Sequence, residues 1–131
     1  MPKRARKKVL IVDDEQDLVR PLALRLAADG RYEVAVAFDG EAGMARALQF
    51  RPDVALIDLS MPRVDGWQLC RRLREDPRTR ETVTIIMTAW LSPDLGKKAV
   101  SEGVSRLLLK PFEEADLLAA LEAADRLVPG L

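Results

Sequence analysis

The chain has 131 residues, 48% hydrophobic and 32% charged, which suits one globular domain with a hydrophobic core and is too short for two. It has one cysteine and no histidine, which excludes an internal disulfide, histidine-ligated zinc, catalysis by a Ser-His-Asp or Cys-His set, and a phosphohistidine carried by this chain. The 21 basic and 21 acidic residues balance, but the first eight residues hold five basic and no acidic ones, so the remainder is net acidic and does not indicate a nucleic-acid-binding domain.

The basic run at residues 1–7 is predicted to be a flexible tail, with a basic arm that contacts a partner as the alternative. It is not a signal peptide, because no apolar segment follows it. No apolar run approaches the roughly 20 residues of a membrane span, and a cytoplasmic protein without a membrane anchor is expected. Residues 8–128 are predicted to form the domain, and residues 129–131 its end or the start of a linker.

Five apolar runs alternate with five segments of helical periodicity. The predicted strands are residues 8–12, 33–37, 53–58, 82–87 and 106–109. The helices between them start or stop at typical signals, which include Asp29-Gly30, Asp39-Gly40, Pro52, Asp76-Pro77, Ser92-Pro93-Asp94 and Gly103. This alternation predicts an α/β fold with a parallel sheet and right-handed crossovers.

Polar residues stand where four of the predicted strands end. They are Asp13 and Asp14 after the first strand, Asp58 at the third, Thr88 after the fourth and Lys110 after the fifth. Taken singly, each has a structural explanation: a helix cap, a turn residue, a local hydroxyl bond or a solvated charge. Because parallel strands end at one edge of a sheet, where ligands bind, the residues together predict a single site.

Three carboxylates in one site would repel one another by roughly 4 kcal/mol per pair at a separation of ~4 Å and an effective dielectric constant near 20. A cation must compensate, and oxygen ligands favour a hard ion such as Mg²⁺. Lys110 supplies a further positive charge and Thr88 a hydroxyl donor. Such a site suits in-line phosphoryl transfer, with Asp58 as the nucleophile that becomes an aspartyl phosphate.

The polar residues belong to four segments that together resemble the receiver domain of two-component response regulators, over about residues 8–128. The segments are Val-Asp13-Asp14-Glu, Leu-Ile-Asp58-Leu-Ser-Met-Pro62-Arg-Val-Asp-Gly66, Met-Thr88-Ala89 and Leu-Lys110-Pro111-Phe112. The resemblance implies a flavodoxin-like, doubly wound, five-stranded parallel sheet of strand order 2-1-3-4-5 with five helices. It implies a signalling domain that catalyses only its own phosphorylation and autodephosphorylation.

The resemblance also implies a phosphoacceptor and a metal site. Asp58 would accept a phosphoryl group from a sensor histidine kinase or a histidine phosphotransfer protein. Mg²⁺ would be held by Asp13, Asp14, Asp58 and the backbone carbonyl of Ser60.

Other residues are expected to respond to the phosphoryl group. Thr88 and Ala89 would bind it, Lys110 would pair with it, and the bond between Lys110 and Pro111 would be cis. The added charge of about −1.5 to −2 would bias two conformations of the surface formed by the fourth helix, fifth strand and fifth helix. The expected readers of this surface are a downstream effector protein, an output domain missing from this segment, and a second copy in a phosphorylation-dependent dimer.

Two positions stand out against the family pattern. Leu107 replaces the aromatic residue that usually lies three positions before the lysine and turns inward on activation, so the output is expected to be altered. Trp90, two residues after Thr88, is expected either to shield the acyl phosphate from water or to contact a partner.

Three alternatives are weighed against a phosphorylated receiver. One is a degenerate receiver that acts as a phosphorylation-independent interaction module. Another is a hydrolase of the haloacid dehalogenase class, which usually has a second aspartate where this chain has Ser60. The third is a flavodoxin-like flavin binder, which would have a Ser/Thr/Gly-rich loop in place of Asp13-Asp14-Glu15.

Overall fold

A computed structural model of the chain describes residues 6–127, in which five strands alternate with five helices. The strands are β1 (Lys7–Val12), β2 (Tyr32–Ala37), β3 (Val54–Asp58), β4 (Val83–Thr88) and β5 (Arg106–Leu109). The helices are α1 (Gln16–Ala28), α2 (Gly40–Phe50), α3 (Gly66–Glu75), α4 (Pro93–Ser101) and α5 (Glu114–Asp125).

The strand boundaries differ slightly from the sequence-based ones. Lys7 pairs with Tyr32, so β1 begins one residue inside the predicted tail. Strand β4 runs one residue further than predicted and includes Thr88. Residues 1–5 of the predicted tail and the predicted terminal segment 129–131 lie outside the described residues.

All neighbouring strands are parallel, in the order β2-β1-β3-β4-β5, which confirms the predicted doubly wound sheet. Val12 at the end of β1 pairs with Ala37 on one side and with Ile57 on the other. Thr88 pairs with Leu109 at the ends of β4 and β5. The strands therefore end at similar heights, and the polar residues that follow them reach the same edge of the sheet.

Alternation along the strands divides the core into two layers. Val9 and Ile11 of β1 face a cluster with α1 and α5, whereas Leu10 and Val12 face a cluster with α2, α3 and α4. Every residue of β3 is buried, as expected for a central strand covered by helices on both faces. Within the described residues, each helix is too short or too polar to cross a lipid bilayer.

Side-chain caps fix where three of the helices start. The Asp39 and Ser92 side chains accept hydrogen bonds from the backbone N–H groups of Ala42 and Leu95. At α3, Asp65 and Gln68 form a reciprocal capping box, with distances of 3.0 and 2.9 Å between donor and acceptor. These caps end the loops after β2, β3 and β4 at defined residues and thereby limit how those loops surround the site.

Candidate functional site

The ammonium group of Lys110 joins the ends of β1 and β3. Its Nζ lies 2.6 Å from Oδ2 of Asp13 and 3.2 Å from Oδ1 of Asp58. A third carboxylate, that of Glu15, is 3.6 Å away and largely exposed. The Lys110 backbone N–H donates to the Thr88 carbonyl at 2.7 Å, which fixes the start of the lysine side chain beside β4.

The three predicted metal-binding aspartates lie together. Asp13, Asp14 and Asp58 each place one carboxylate oxygen within 4.8 Å of the others. Asp13 and Asp58 are buried and Asp14 is exposed, so the cluster opens to solvent on one side. Asp13 does more than a helix cap would. Its Oδ1 accepts a hydrogen bond from the Glu15 backbone N–H at 3.0 Å just before α1, and its Oδ2 contacts Lys110.

Charge in this site is unevenly balanced. Burial raises the pKa of Asp58, the charge of Asp13 raises it further, and Lys110 opposes both. Burial by itself lowers the pKa of Lys110, but its hydrogen bond to Asp13 and the charges of Asp13 and Asp58 outweigh burial and leave that pKa raised. The lysine therefore stays charged, and the site still favours additional positive charge next to Asp58.

The donor set fits Mg²⁺. An octahedral Mg²⁺ with ligands at about 2.1 Å places its oxygens about 3 to 4.2 Å apart, and three oxygens within 4.8 Å need only small side-chain adjustments to reach that spacing. The exposed side at Asp14 leaves room for the waters that Mg²⁺ usually retains. Ser60 lies two residues beyond Asp58 and is exposed.

The Thr88 hydroxyl is engaged by the loop that follows β4. It donates to the Trp90 carbonyl at 3.1 Å and accepts from the Trp90 backbone N–H at 3.2 Å. Ala89, between them, is exposed. The Trp90 indole is 79% exposed, so in this conformation Trp90 reaches the site through its backbone.

Gly66 also shapes the site, although only the family motif drew attention to it. Its N–H donates to the Leu59 carbonyl at 3.0 Å, and a Cβ atom on Gly66 would lie 2.7 Å from the Asp58 carbonyl oxygen. The first turn of α3 therefore packs directly on the backbone of the predicted phosphoacceptor. The sequence signal is a glycine immediately after the capping residue Asp65.

The remaining predicted positions lie on or next to β5. Leu107 is partly buried and packs against the core cluster that includes α2, α3 and α4. The Lys110–Pro111 peptide bond is cis. The structure thus brings Asp13, Asp14, Asp58 and Lys110 together and places Thr88 beside them, with its side chain turned to the loop.

Comparison with known proteins agrees with this arrangement. The chain matches the family model of the response regulator receiver domain over residues 9–122. It is 35% identical to the response regulator PleD of Caulobacter vibrioides over 91% of this chain and 26% of that protein. It is 36% identical to the response regulator ArlR of Staphylococcus haemolyticus over 92% of this chain and 53% of that protein. The chain therefore spans about a quarter to half of the length of these relatives.

Solved structures give the same result. The chemotaxis protein CheY4 of Vibrio cholerae superposes with a TM-score of 0.85 at 31% identity, covering 92% of this chain and 99% of that one. The receiver domain of the Francisella response regulator 1452 superposes with a TM-score of 0.81 at 28% identity, covering 92% and 97%. Together with the family match, these similarities show that the chain belongs to the receiver domain family of two-component response regulators.

Proposed function

We propose that this domain is a phosphorylation-dependent signalling receiver in which Asp58 accepts a phosphoryl group from a sensor histidine kinase or a histidine phosphotransfer protein. The observation that carries the proposal is the position of Lys110, whose ammonium group lies 2.6 Å from Asp13 and 3.2 Å from Asp58. The Lys110 cation lies beside a buried carboxylate, and two more carboxylates are available to bind a metal. This arrangement is better explained by phosphoryl transfer than by a purely structural ion pair.

The proposed transfer step uses these residues. An Asp58 carboxylate oxygen forms the new P–O bond while the P–N bond to the partner's phosphohistidine breaks, and the electron pair returns to the imidazole nitrogen. Asp13, Asp14, Asp58 and the Ser60 carbonyl would hold Mg²⁺, which supplies neutralisation of charge on the phosphoryl oxygens. Lys110 would then pair with a phosphoryl oxygen, and Asp13 would remain available to hold the metal.

Phosphorylation would act on the rest of the domain through Thr88. Its hydroxyl has to release the two hydrogen bonds to the Trp90 backbone before it can bind a phosphoryl oxygen, and the Ala89 N–H would bind another. The loop from Ala89 to Ser92 leads directly into α4, so a change at Thr88 reaches the surface of α4, β5 and α5. We infer that the charge of about −1.5 to −2 on Asp58 changes partner binding at that surface.

The remaining parts of the proposal concern organisation and partners. Residues 8–128 would be the receiver unit, which Lys7 of β1 extends by one residue, with a basic segment before it and an end or linker at residues 129–131. The reader would be an effector protein, an output domain beyond this segment, or a second copy of the domain after phosphorylation. The domain itself would work in the cytoplasm, away from membranes and without direct contact to nucleic acid.

The test is intact-mass measurement after incubation with Mg²⁺ and a small phosphodonor. Wild type is expected to gain one labile phosphoryl group, and Asp58→Asn none. Asp94→Asn removes an exposed carboxylate in the first turn of α4 and is expected to be labelled like wild type. Absence of an adduct on wild type, under conditions that label another receiver domain, would support the degenerate receiver instead.

The degenerate receiver remains the second candidate because of Leu107. An aliphatic side chain that is already partly buried has no aromatic ring to move inward when Thr88 moves. In that case a phosphoryl mimic on Asp58 would leave partner binding and the position of Leu107 unchanged. An ordered shift of Leu107 in structures with and without the mimic would support the phosphorylated receiver.

We also propose that Trp90 shields the phosphoryl group on Asp58 from water. The indole would have to fold back from its exposed position in order to cover Asp58. Equal dephosphorylation rates for wild type and Trp90→Ala would show that it does not.

A further inference from the structure

Helix α4 has little hold on the core. Ala99 is the only buried residue among its nine, whereas α3 buries five of its ten. Val100 is 80% exposed. Leu95 also packs against the core cluster but is only partly buried, so other contacts must help to hold α4 in place.

Those contacts are charged and come from α3. Arg71 makes a bidentate pair with Glu102, with Nε 2.9 Å from Oε2 and Nη2 3.0 Å from Oε1. Arg74 Nη1 donates to the Glu102 backbone carbonyl. Glu102 is the C-cap of α4, and its side chain is only 13% exposed. Two arginines of α3 thus bind the C-terminal end of α4.

Two further features place the grip at the end of α4. Lys98 lies over the Trp67 ring, 5.2 Å from its centroid, and forms a second link between the helices. Gly103 follows the C-cap with φ of +74°, so the chain turns away at this point. Hydrogen bonding to Arg71 lowers the pKa of Glu102, which keeps the carboxylate charged.

We propose that the Arg71–Glu102 pair is an ionic latch that restrains α4 and thereby limits how often the unphosphorylated domain adopts the phosphoryl-binding arrangement. The inference rests on the proposed function for its coupling to Asp58. The physical link is short: Thr88 is bonded to the Trp90 backbone, and α4 is capped by Ser92 two residues later. A change at Thr88 has to be accommodated by α4, and the latch at the far end of that helix opposes it.

The size of the effect follows from population arithmetic. The apparent affinity for a phosphoryl mimic is the intrinsic affinity scaled by the fraction of molecules in the competent arrangement. A bidentate pair with one half-exposed partner typically changes such an equilibrium by about two- to fivefold. With Leu107 in place of an aromatic switch, a change of this size would be a substantial part of the regulation.

The experiment compares Arg71→Gln with a control of the same geometry. Arg78 makes a bidentate pair with Asp76, at 3.0 and 2.8 Å, but these two residues follow α3, two positions apart, so their pair is local and does not join two helices. One measurement is hydrogen exchange of the α4 amides without Mg²⁺ or phosphodonor. The other is the affinity of the Mg²⁺-loaded domain for beryllofluoride as a phosphoryl mimic.

Arg71→Gln is expected to speed α4 exchange and tighten beryllofluoride binding, each by about two- to fivefold, while Arg78→Gln changes neither. Glu102→Gln should reproduce both effects, and the double variant should add little to either single change. Unchanged α4 exchange in Arg71→Gln would overturn the latch, and faster exchange with unchanged affinity would overturn its coupling. If wild type binds no beryllofluoride, the proposed function and the coupling both fail, but the exchange rates still decide whether the latch exists.

Discussion

The edge that carries Asp58 and the face formed by α4 are built in opposite ways. At the edge, Asp13, Asp58 and Thr88 are buried, and the backbone or Lys110 holds each of them. At α4, only Ala99 is buried, Leu95 is partly buried against the core, and ion pairs with α3 add to this packing. The site residues are therefore held rigidly by the sheet. Helix α4, which would transmit a change at the site, is held by contacts that single substitutions and salt can weaken.

The largest effect is expected from removing the positive charge of the edge. Lys110→Met leaves Asp13 and Asp58 as buried like charges and should lower the free energy of unfolding by about 3 kcal/mol without Mg²⁺. Denaturant titration measures it, with Lys97→Met, an exposed lysine of α4, as the control expected to stay within about 0.5 kcal/mol. Similar midpoints for both variants would mean that the edge does not depend on its lysine.

A smaller loss is expected where α3 packs on the backbone of Asp58. A Cβ atom at position 66 would lie 2.7 Å from the Asp58 carbonyl oxygen and 2.9 Å from Leu59 Cα, and neither backbone atom can move freely. Gly66→Ala should therefore cost about 2 kcal/mol and reduce phosphorylation of Asp58. Gly30→Ala, where nothing lies within 4 Å of the new Cβ, provides the comparison in the same denaturant titration.

Without metal, Asp58→Asn is expected to be more stable than wild type near neutral pH. The raised pKa of Asp58 means that folding favours its protonated form, and this contribution is lost as the pH rises through the folded-state pKa. The stability difference should therefore shrink as the pH falls through that pKa. A difference that is constant across this range would mean that folding does not raise the pKa of Asp58.

Mg²⁺ should narrow the stability difference between these two proteins. At ten times its dissociation constant, the ion adds about 1.4 kcal/mol to wild type, and less to Asp58→Asn, which lacks one ligand charge. Thermal unfolding with and without chelator measures the gain. Equal gains in both proteins would place the ion away from Asp58.

The smallest effect is expected on α4 and is again a gain in stability. Gly96 is in the helix interior with open space around its Cβ position, so Gly96→Ala should stabilise the domain by about 0.5–1 kcal/mol. The gain would appear in thermal unfolding, while phosphorylation of Asp58 should be unchanged. A loss of stability would show that α4 is packed more tightly than its exposure indicates.

Features encoded within short segments were predictable from the sequence. Apolar runs placed the strands, and the caps Asp39 and Ser92 placed helix starts, because a cap depends on residues only three positions apart. The meeting of Asp13, Asp58 and Lys110 was also predictable, since parallel strands share an edge. The exact strand ends were less predictable. Lys7 and Thr88 belong to β1 and β4 because each pairs with a residue of the neighbouring strand.

Contacts that depend on how helices turn were not predictable. Arg71 and Glu102 are 31 residues apart, and their pairing requires α3 and α4 to present those faces to each other. A local hydroxyl bond was one of the two interpretations of Thr88, and the structure has it, because the loop brings the Trp90 backbone to the hydroxyl. The contact between Arg71 and Glu102, by contrast, has no signature in local composition or periodicity.

The two tryptophan side chains are fluorescent reporters in two different environments. Trp67 is buried on α3 beneath Lys98, whereas Trp90 is 79% exposed on the loop that holds Thr88. A neutral collisional quencher would therefore extinguish Trp90 emission first and leave Trp67 emission to report the contact between α3 and α4. Events at the acceptor and at the helix interface could be followed separately in one unlabelled sample.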